Sequence, residues 1–289
     1  MSRKHDFNQL FFDIIDTEEK AYVLGFIYAD GCNNSHPTTG ELSISQMERD
    51  VDILYKIKEA MQSTYPISEE ENKWGGAEKR FRFYVYGPKI EEQLTNLGVV
   101  HNKSLILEFP TFLPDELMPH FIRGYFDGDG SVWDGQRKKM RVKKEWKPGE
   151  YRERIVHNVK FNFTGSNTFI PHLQEYLIEH LGLSRTKLNY SKAKEDHRHC
   201  TMEYSGRKNL LKLYNYMYSS ASIYGERKKA KFEKILCALS EKSLSEMGLI
   251  AGTPEMVISS QASKNDEGSS TIPEMEVEGS PSKCPTLSE

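Results

Sequence analysis

The sequence lacks any long uninterrupted hydrophobic segment. Its 289 residues are 37% hydrophobic, but no apolar run approaches the roughly 18 residues that a bilayer-spanning helix needs, so no membrane partner is predicted. No apolar segment follows the charged first residues, and we therefore do not expect secretion. The expected location is the cytoplasm of a bacterial or phage-infected cell, or an organellar matrix.

Cysteine is also scarce. The sequence has four cysteines, and their positions fit neither a metal-binding spacing nor the dense pattern of a disulfide-stabilised secreted domain. They are Cys32, Cys200, Cys237 and Cys284. This distribution predicts free thiols in a reducing compartment.

The sequence has no strong overall charge, since the formal net charge is −3. Residues 241–289, however, hold nine acidic and three basic side chains, so the preceding 240 residues carry a net charge of +3. Residues 241–289 are also rich in Ser, Glu, Pro and Gly and contain no aromatic residue. This composition predicts a disordered acidic tail.

The most informative feature is a stretch that occurs twice. Residues 23–31 and residues 122–130 are both mostly apolar, and each ends in an aspartate followed by a glycine. The two aspartates, Asp30 and Asp129, are 99 residues apart. A motif that recurs at this distance indicates two structural copies in one chain.

Each copy is predicted to form a helix with its small residues on one face. These residues lie four apart, at Gly25 and Ala29 and at Gly124 and Gly128. Spacing of four places side chains on the same side of a helix, and small residues there let two backbones approach closely. We therefore expect the two helices to cross and to bring Asp30 and Asp129 together.

The ends of these helices also carry sequence signals. Asp16 and Glu19 fit a capping box at the start of the first helix. Gly31 fits the position after its end, where a positive φ is expected. In the second copy, Pro119 fits the first turn and Gly130 ends the helix.

Two aspartates at two helix C-termini would repel each other and the helix dipoles. A divalent cation bound by their oxygens would offset this repulsion. The pair therefore predicts a metal site formed by Asp30 and Asp129.

The remaining pattern predicts the same unit twice, in the order helix, two strands, helix, two strands, helix. Alternating apolar and polar residues predict strands, and apolar residues at three-four spacing predict helices. The predicted fold is α+β, with a first repeat at residues 1–112, a second at 113–240 and the tail at 241–289. The predicted helices cover residues 50–61, 89–97, 167–181, 207–218 and 226–239, and the second motif helix is predicted to start near Pro114.

The paired stretches resemble the motifs of LAGLIDADG homing endonucleases in their single-chain, two-motif form. The first copy keeps Gly25, Ala29, Asp30 and Gly31, and the second keeps Gly124, Asp127, Asp129 and Gly130. The resemblance covers about residues 15–240 and implies two pseudo-symmetric αββαββα units with saddle-shaped antiparallel sheets. The departures are Tyr28 in the first copy and Gly128 in the second.

The resemblance also implies a function and a set of site residues. It implies a site-specific, intron-encoded endonuclease that hydrolyses both DNA strands with Mg²⁺ or Mn²⁺, held by Asp30 and Asp129. Gln46 matches the residue that positions water, while the second-half match is a glycine, Gly165. The basic residues near the scissile phosphate match Lys103 and Lys228, and Arg227 competes with Lys228 for that role.

A basic hairpin after the second motif is predicted to contact the DNA. A two-stranded ribbon fits the major groove, and its cations would contact phosphates. The predicted contacts are Arg137, Lys138, Lys139, Arg141, Lys143, Lys144, Arg152 and Arg154. In the first half the predicted contacts are Asn33, Asn34, Ser43 and Ser45. The alternative interpretation of the basic run is an ordinary solvated surface.

The expected partner is double-stranded DNA, bound by a monomer. The alternative function is that of a non-cutting binder on the same scaffold, either an RNA maturase that assists intron splicing or a DNA-binding regulator, and intron RNA stays open as a second partner. A protein that no longer cuts would be free to lose its acids, and both acids are present here.

Overall fold

The structure is a computed structural model that describes residues 4–34, 40–71, 78–141, 152–190 and 199–246. The chain divides into two units, residues 1–236 and 237–289. The elements in chain order are α1 (Glu18–Asp30), β1 (Gly31–Asn34), β2 (Gly40–Met47), α2 (Val51–Ala60), β3 (Ile67–Glu70), β4 (Arg80–Gly87), α3 (Ile90–Asn96), α4 (Met118–Asp129), β5 (Gly130–Arg141), β6 (Arg152–Ser166), α5 (Ile170–Leu181), β7 (Asn189–Tyr190), β8 (His199–Ser205), α6 (Arg207–Tyr218) and α7 (Glu226–Glu246).

The order of these elements confirms the predicted repeated unit and the α+β class. The segments α1 to α3 and α4 to α6 both run helix, two strands, helix, two strands, helix. Each half forms a four-stranded antiparallel sheet, with strand orders β1-β2-β4-β3 and β5-β6-β8-β7. The repeat boundary between residues 112 and 113 stays a prediction.

Each sheet buries one face, as the alternating sequence pattern predicted. In the first sheet Leu42 and Ile44 of β2 are buried, and so are Phe83 and Val85 of β4. Successive strand residues point to opposite faces, so the residues between them form a second, more exposed face. That exposed face carries most of the polar side chains of the sheet.

The two motif helices, α1 and α4, cross with their backbones almost in contact. A Cβ atom added at Gly25 would lie 2.0 Å from the Phe121 carbonyl oxygen, and one added at Gly124 would lie 2.0 Å from the Tyr22 carbonyl oxygen. A Cβ atom at Gly128 would lie 2.2 Å from that of Ala29. The small-residue spacing therefore predicted the crossing correctly, because no larger side chain fits there.

The predicted capping box at the start of α1 is wrong. The N-cap is Thr17, whose side chain accepts a hydrogen bond from the Lys20 backbone N–H. Asp16 instead pairs with the Lys20 ammonium group at 2.7 Å. The Asp16 carboxylate thus pairs with the Lys20 side chain one turn along, and the Thr17 hydroxyl serves as the N-cap.

The predicted positive φ at Gly31 is also wrong. Gly31 has φ −76° and Gly130 has φ −89°, so both are extended and each begins a strand. The reason for glycine is steric. A Cβ atom at Gly31 would lie 2.6 Å from the Ile27 Cγ2 atom, and one at Gly130 would lie 2.0 Å from the Phe126 ring.

A buried polar network ties α4 to the segment before α7. The Arg123 side chain is fully buried and donates to the Ile223 carbonyl oxygen at 2.8 Å, the Met217 carbonyl oxygen at 2.7 Å and the Glu18 carboxylate at 2.6 Å. Every arginine nitrogen that loses water therefore gains a protein partner, as a buried cation requires. The network fixes α4 against α1 and the α6–α7 connection.

Asp127, the other acid of the second motif, belongs to the same interior. Its carboxylate accepts hydrogen bonds from the Tyr22 hydroxyl at 2.9 Å, the Tyr218 hydroxyl at 2.8 Å and the Gly225 N–H at 2.7 Å. Burial raises the pKa of Asp127, and the Gly225 hydrogen bond opposes this rise. The carboxylate thus links α4 to α1 and to the α6–α7 connection.

Three helix boundaries differ from prediction by three residues or more. The second motif helix begins at Met118, because residues 115–117 form turns. Helix α5 begins at Ile170, three residues after its predicted start at residue 167. Helix α7 continues to Glu246, past the predicted end at residue 239, and residues 247–289 of the predicted tail lie outside the described residues. No helix in the described part of the chain combines the length and apolar character needed to cross a bilayer.

Candidate active site

The helix crossing brings Asp30 and Asp129 together at the shared C-terminal end of α1 and α4. The Asp30 Oδ2 atom lies 3.4 Å from the point where a Gly128 Cβ atom would be, so its carboxylate reaches the end of the other helix. Both aspartates are exposed to solvent. The pair is therefore accessible to a ligand, as the sequence predicted.

Burial and neighbouring charges perturb the protonation of both carboxylates. Partial burial and the negative charge of Asp30 raise the pKa of Asp129 to about 6, against the opposing effect of Lys103 and Lys228. Asp30 remains open to solvent, but partial desolvation of its carboxylate by the surrounding protein also raises its pKa, and the Gln46 hydrogen bond and the two lysines oppose this rise. Ionising both carboxylates is therefore unfavourable in this site, and a bound cation would offset that cost.

A lysine caps each motif helix beside its aspartate. The Lys103 ammonium group donates to the carbonyl oxygens of Ala29 at 3.2 Å and Gly31 at 2.7 Å. The Lys228 ammonium group donates to Phe126 at 3.0 Å and Gly128 at 2.6 Å. Helix C-termini favour cations, so the same interaction places both lysines in the acidic site.

Burial lowers the pKa of both lysines, while the nearby aspartates oppose that effect. The competing candidate, Arg227, lies elsewhere. Its guanidinium group forms two hydrogen bonds to the Asp50 carboxylate, at 2.7 and 2.8 Å. The structure therefore favours Lys228 as the basic residue of the second half.

Gln46 contacts the first aspartate directly. Its Nε2 atom donates to the Asp30 Oδ2 atom at 2.6 Å. The equivalent residue of the second half follows from the sheet register, because Gly31 pairs with Ile44 and Gly130 pairs with Phe163. Two residues further along each strand, Gln46 corresponds to Gly165, as the family resemblance implied.

The donor set fits a hard divalent cation. No group of three or more His, Cys, Asp or Glu side chains that could hold a metal occurs within the described ranges, but Mg²⁺ commonly binds through one or two carboxylates and completes its shell with water and substrate phosphates. Asp30 and Asp129 supply such oxygens. Their mutual repulsion gives a physical reason for a cation to bind between them.

Two of the predicted DNA contacts in the first half are buried. Asn33 is 3% exposed and donates to the Val99 carbonyl oxygen at 2.7 Å, because its position in β1 falls on the inner face together with Gly31. Ser43 is on the outer face but is only 7% exposed. These positions therefore do not present their side chains to a ligand in this structure.

The other two predicted residues lie on the outer face in a charged network that the sequence analysis missed. Asn34 and Arg82 donate to the Glu41 carboxylate at 3.0 and 2.7 Å. Ser45 donates to Glu70 at 3.0 Å, and Arg80 lies 3.4 Å from the same carboxylate. The alternation of Arg80-Phe81-Arg82-Phe83 was the available signal, because it places both arginines on one face.

The basic hairpin of the second half is described in part. Arg137, Lys139 and Arg141 occupy alternate positions of β5 and pair in register with Val156, Arg154 and Arg152. By the alternation of a strand, these positions are on the same face of β5 as the position of the exposed Trp133. Lys138 is exposed but its position is on the opposite face of β5. Lys143 and Lys144 lie outside the described residues.

Comparison with solved structures finds LAGLIDADG endonucleases. The meganuclease I-AabMI, solved bound to uncleaved DNA, matches with a TM-score of 0.50 and 15% identity over 79% of this chain and 92% of that chain. The homing endonuclease I-LtrWI, solved bound to target DNA, matches with a TM-score of 0.48 and 13% identity over 82% of this chain and 93% of that chain. The homing endonuclease I-SmaMI, solved bound to cleaved DNA, matches with a TM-score of 0.47 and 14% identity over 81% of this chain and 93% of that chain.

Comparison with known sequences gives less. No protein-family model matches the chain. A segment of 122 residues is 34% identical to the DNA-directed RNA polymerase subunit Rpo1C of Methanocaldococcus jannaschii. The match covers 42% of this chain and spans only 13% of that relative.

The repeated αββαββα unit, the glycine-lined helix crossing and the likeness to I-AabMI define the class of structure. The chain has the LAGLIDADG homing endonuclease fold. The resemblance first noted in the two motifs is thus confirmed at the level of the fold.

Proposed function

We propose that this protein is a site-specific double-strand DNA endonuclease that depends on Mg²⁺ or Mn²⁺. The observation that carries the proposal is the pair of solvent-exposed aspartates at the helix crossing, each beside a lysine that caps a motif helix. One chain supplies both aspartates and both sheets, so we expect a monomer to be sufficient for cutting both strands.

Support for a DNA substrate comes from the fold and from the second sheet. I-AabMI, which shares the fold, was solved bound to uncleaved DNA. The β5–β6 ribbon places basic residues at alternate positions, and a ribbon of this kind fits the major groove. Binding is therefore expected to weaken as salt rises, because the cations would displace the counterions of DNA phosphates.

Asp30 and Asp129 would hold the cation. When bound, a divalent cation would polarise the scissile phosphate and lower the pKa of a bound water. In the net reaction a water oxygen bonds to phosphorus, one P–O ester bond breaks, and a proton is gained by the leaving oxygen. Each aspartate would serve the phosphodiester of one strand.

The chain's own side chains would organise this hydrolysis. Because an ionised carboxylate only accepts hydrogen bonds, the Gln46 N–H group faces Asp30 and leaves its carbonyl oxygen to accept a hydrogen bond from water. Lys103 and Lys228 would stabilise negative charge that develops on the phosphate. Their bonds to helix carbonyls hold them in place before substrate binds.

The decisive experiment first selects the target from randomised DNA duplexes by binding, and then tests cleavage in Mg²⁺. We expect the wild type to cut both strands, and Asp30→Asn and Asp129→Asn to bind the target but lose double-strand cleavage. Glu116→Gln is the control, since Glu116 is an exposed acid outside the site.

Two results would contradict the proposal. If the wild type binds a selected duplex tightly but never cuts it in Mg²⁺ or Mn²⁺, the protein is a non-cutting binder. If both aspartate variants cut as fast as the control, the hydrolytic site lies elsewhere.

A further inference from the structure

The two halves of the active site differ at a pair of positions that contact each other. Gln46 and Gly165 are equivalent by strand register, and Phe26 and Tyr125 are equivalent because each follows the first glycine of its motif. The first half therefore combines a phenylalanine with a glutamine, whereas the second combines a tyrosine with a glycine.

The Tyr125 hydroxyl occupies the space that a side chain at residue 165 would need. A Cβ atom added at Gly165 would lie 2.2 Å from the Tyr125 oxygen. The tyrosine cannot easily move away, because it is 1% exposed and its ring packs against Phe169 with 4.3 Å between the ring centres. Tyrosine at 125 and a side chain at 165 are thus mutually exclusive.

The tyrosine does not replace the glutamine as a donor to the aspartate. Its single O–H group donates to the Thr164 carbonyl oxygen at 2.8 Å. Burial raises the pKa of Tyr125 well above its usual range, and the charges of Asp129 and Asp30 raise it further, so the hydroxyl keeps its proton. In the described parts of the chain, no side chain donates a hydrogen bond to Asp129, whereas Gln46 donates to Asp30.

We propose that the Tyr125–Gly165 pair makes the two cleavage centres unequal, so that the strand served by Asp30 is cut first and the strand served by Asp129 is cut more slowly. This inference rests on the proposed endonuclease function. Gln46 and Tyr125 act as positioning residues: the glutamine fixes one carboxylate and offers an oxygen to water, while the tyrosine closes the equivalent place in the second half.

The unequal centres predict a nicked intermediate. When two hydrolytic steps differ in rate, the product of the faster step accumulates before the slower one completes the break. Loss of one positioning contact commonly slows a reaction by about tenfold or more. We therefore expect supercoiled plasmid to pass through an open circle that is cut predominantly in one strand.

The test measures each strand separately, with the wild type and a double swap. Duplexes labelled on one strand or the other are cut in Mg²⁺, and the two rates are compared. Tyr125→Phe combined with Gly165→Gln installs the first-half pair in the second half, and the removed hydroxyl makes room for the new side chain. We expect a rate ratio of about ten in the wild type and of less than about three in the swap, through acceleration of the slow strand.

Gln46→Gly provides the reciprocal variant, since it removes the positioning residue of the first half. It should slow the fast strand about tenfold and leave the slow strand unchanged, which a general loss of folding would not do. Thermal unfolding and binding of the selected duplex verify that the variants are folded.

The outcomes separate this inference from the proposed function. A wild type that does not cut at all contradicts the endonuclease function itself. A wild type that cuts both strands at equal rates overturns the inference alone. A folded, DNA-binding swap whose strand ratio stays at the wild-type value also overturns it, because the pair would then have no influence on the slow centre.

Discussion

Replacement of Gly124 by alanine tests whether the α1–α4 crossing determines both stability and catalysis. The added Cβ atom would lie 2.0 Å from the Tyr22 carbonyl oxygen and 2.8 Å from the Phe26 nitrogen. Both contacts are to backbone atoms of the other helix, so no side-chain rotation relieves them. The helices must separate by roughly 1.5 Å to restore an ordinary contact distance.

The expected magnitude follows from two opposing terms. Alanine in place of glycine favours a helix by about 1 kcal/mol, whereas overpacking a buried contact commonly costs about 1–3 kcal/mol and sometimes more. Because a backbone contact of this kind lies at the upper end of that range, we expect a net loss of about 2 kcal/mol. The separation would also displace Asp30 from Asp129, and displacement of about 1 Å can slow catalysis about a hundredfold.

The assay combines urea unfolding, followed by circular dichroism, with cleavage of the selected duplex. Gly206→Ala is the matched control. Gly206 has no heavy atom within 4 Å of an added Cβ atom but has φ +85°, so alanine there strains the backbone without disturbing the crossing. The control should lose stability but keep its cleavage rate.

The double variant with Gly25→Ala sharpens the test. Gly25 contacts the same crossing from the other helix, so once one substitution has separated the helices the second should cost less than it does alone. A Gly124→Ala protein that is as stable as the wild type and cuts at the same rate would refute the argument for a tight crossing.

Three further predictions follow from the interior and the site. Arg123→Met should lower the free energy of unfolding by about 3–5 kcal/mol, measured by urea denaturation, because Glu18 and two carbonyl groups lose a buried partner; an unchanged urea midpoint would contradict the network. Lys228→Met should slow cleavage at least about tenfold in single-turnover assays, whereas Arg227→Met should leave the rate unchanged. Equal losses of cleavage rate in the two variants would contradict the assignment of Lys228 as the basic residue. At a low fixed Mg²⁺ concentration, the cleavage rate should rise with pH through about 6, because protons compete with the cation for Asp129. A higher Mg²⁺ concentration should lower the pH at which the rate is half-maximal. A flat pH profile from 5 to 7 would argue against the Asp129 carboxylate as a metal ligand.

The sequence was sufficient to predict the architecture because its signals are periodic. Small residues four apart in both motifs predicted the crossing, and alternating strands predicted the sheets. Helix caps were less predictable, since Asp16 and Thr17 are both good cap residues and the Lys20 ammonium group decides between them. Gly31 is glycine because of Ile27 and not because of its φ angle.

The positions of side chains in the site were predictable where they followed from the motif or from the family resemblance. Asp30 met Asp129 because both end the crossing helices. Asn33 was assigned to the DNA surface from its polarity, although counting strand positions from Gly31 would have placed it on the inner face. The contact between Tyr125 and Gly165 joins residues 40 positions apart, and no local pattern reveals such a contact.

The close approach of α1 and α4 has a consequence for how such proteins diversify. Main-chain atoms define the junction at Gly25 and Gly124, and every protein has the same main chain. Substitutions can therefore change the side chains on the outer sheet surfaces without disturbing the α1–α4 crossing that joins the two halves. A chimera that fuses one half of this chain to the opposite half of another such protein should assemble, provided that the partner keeps glycines in the same register.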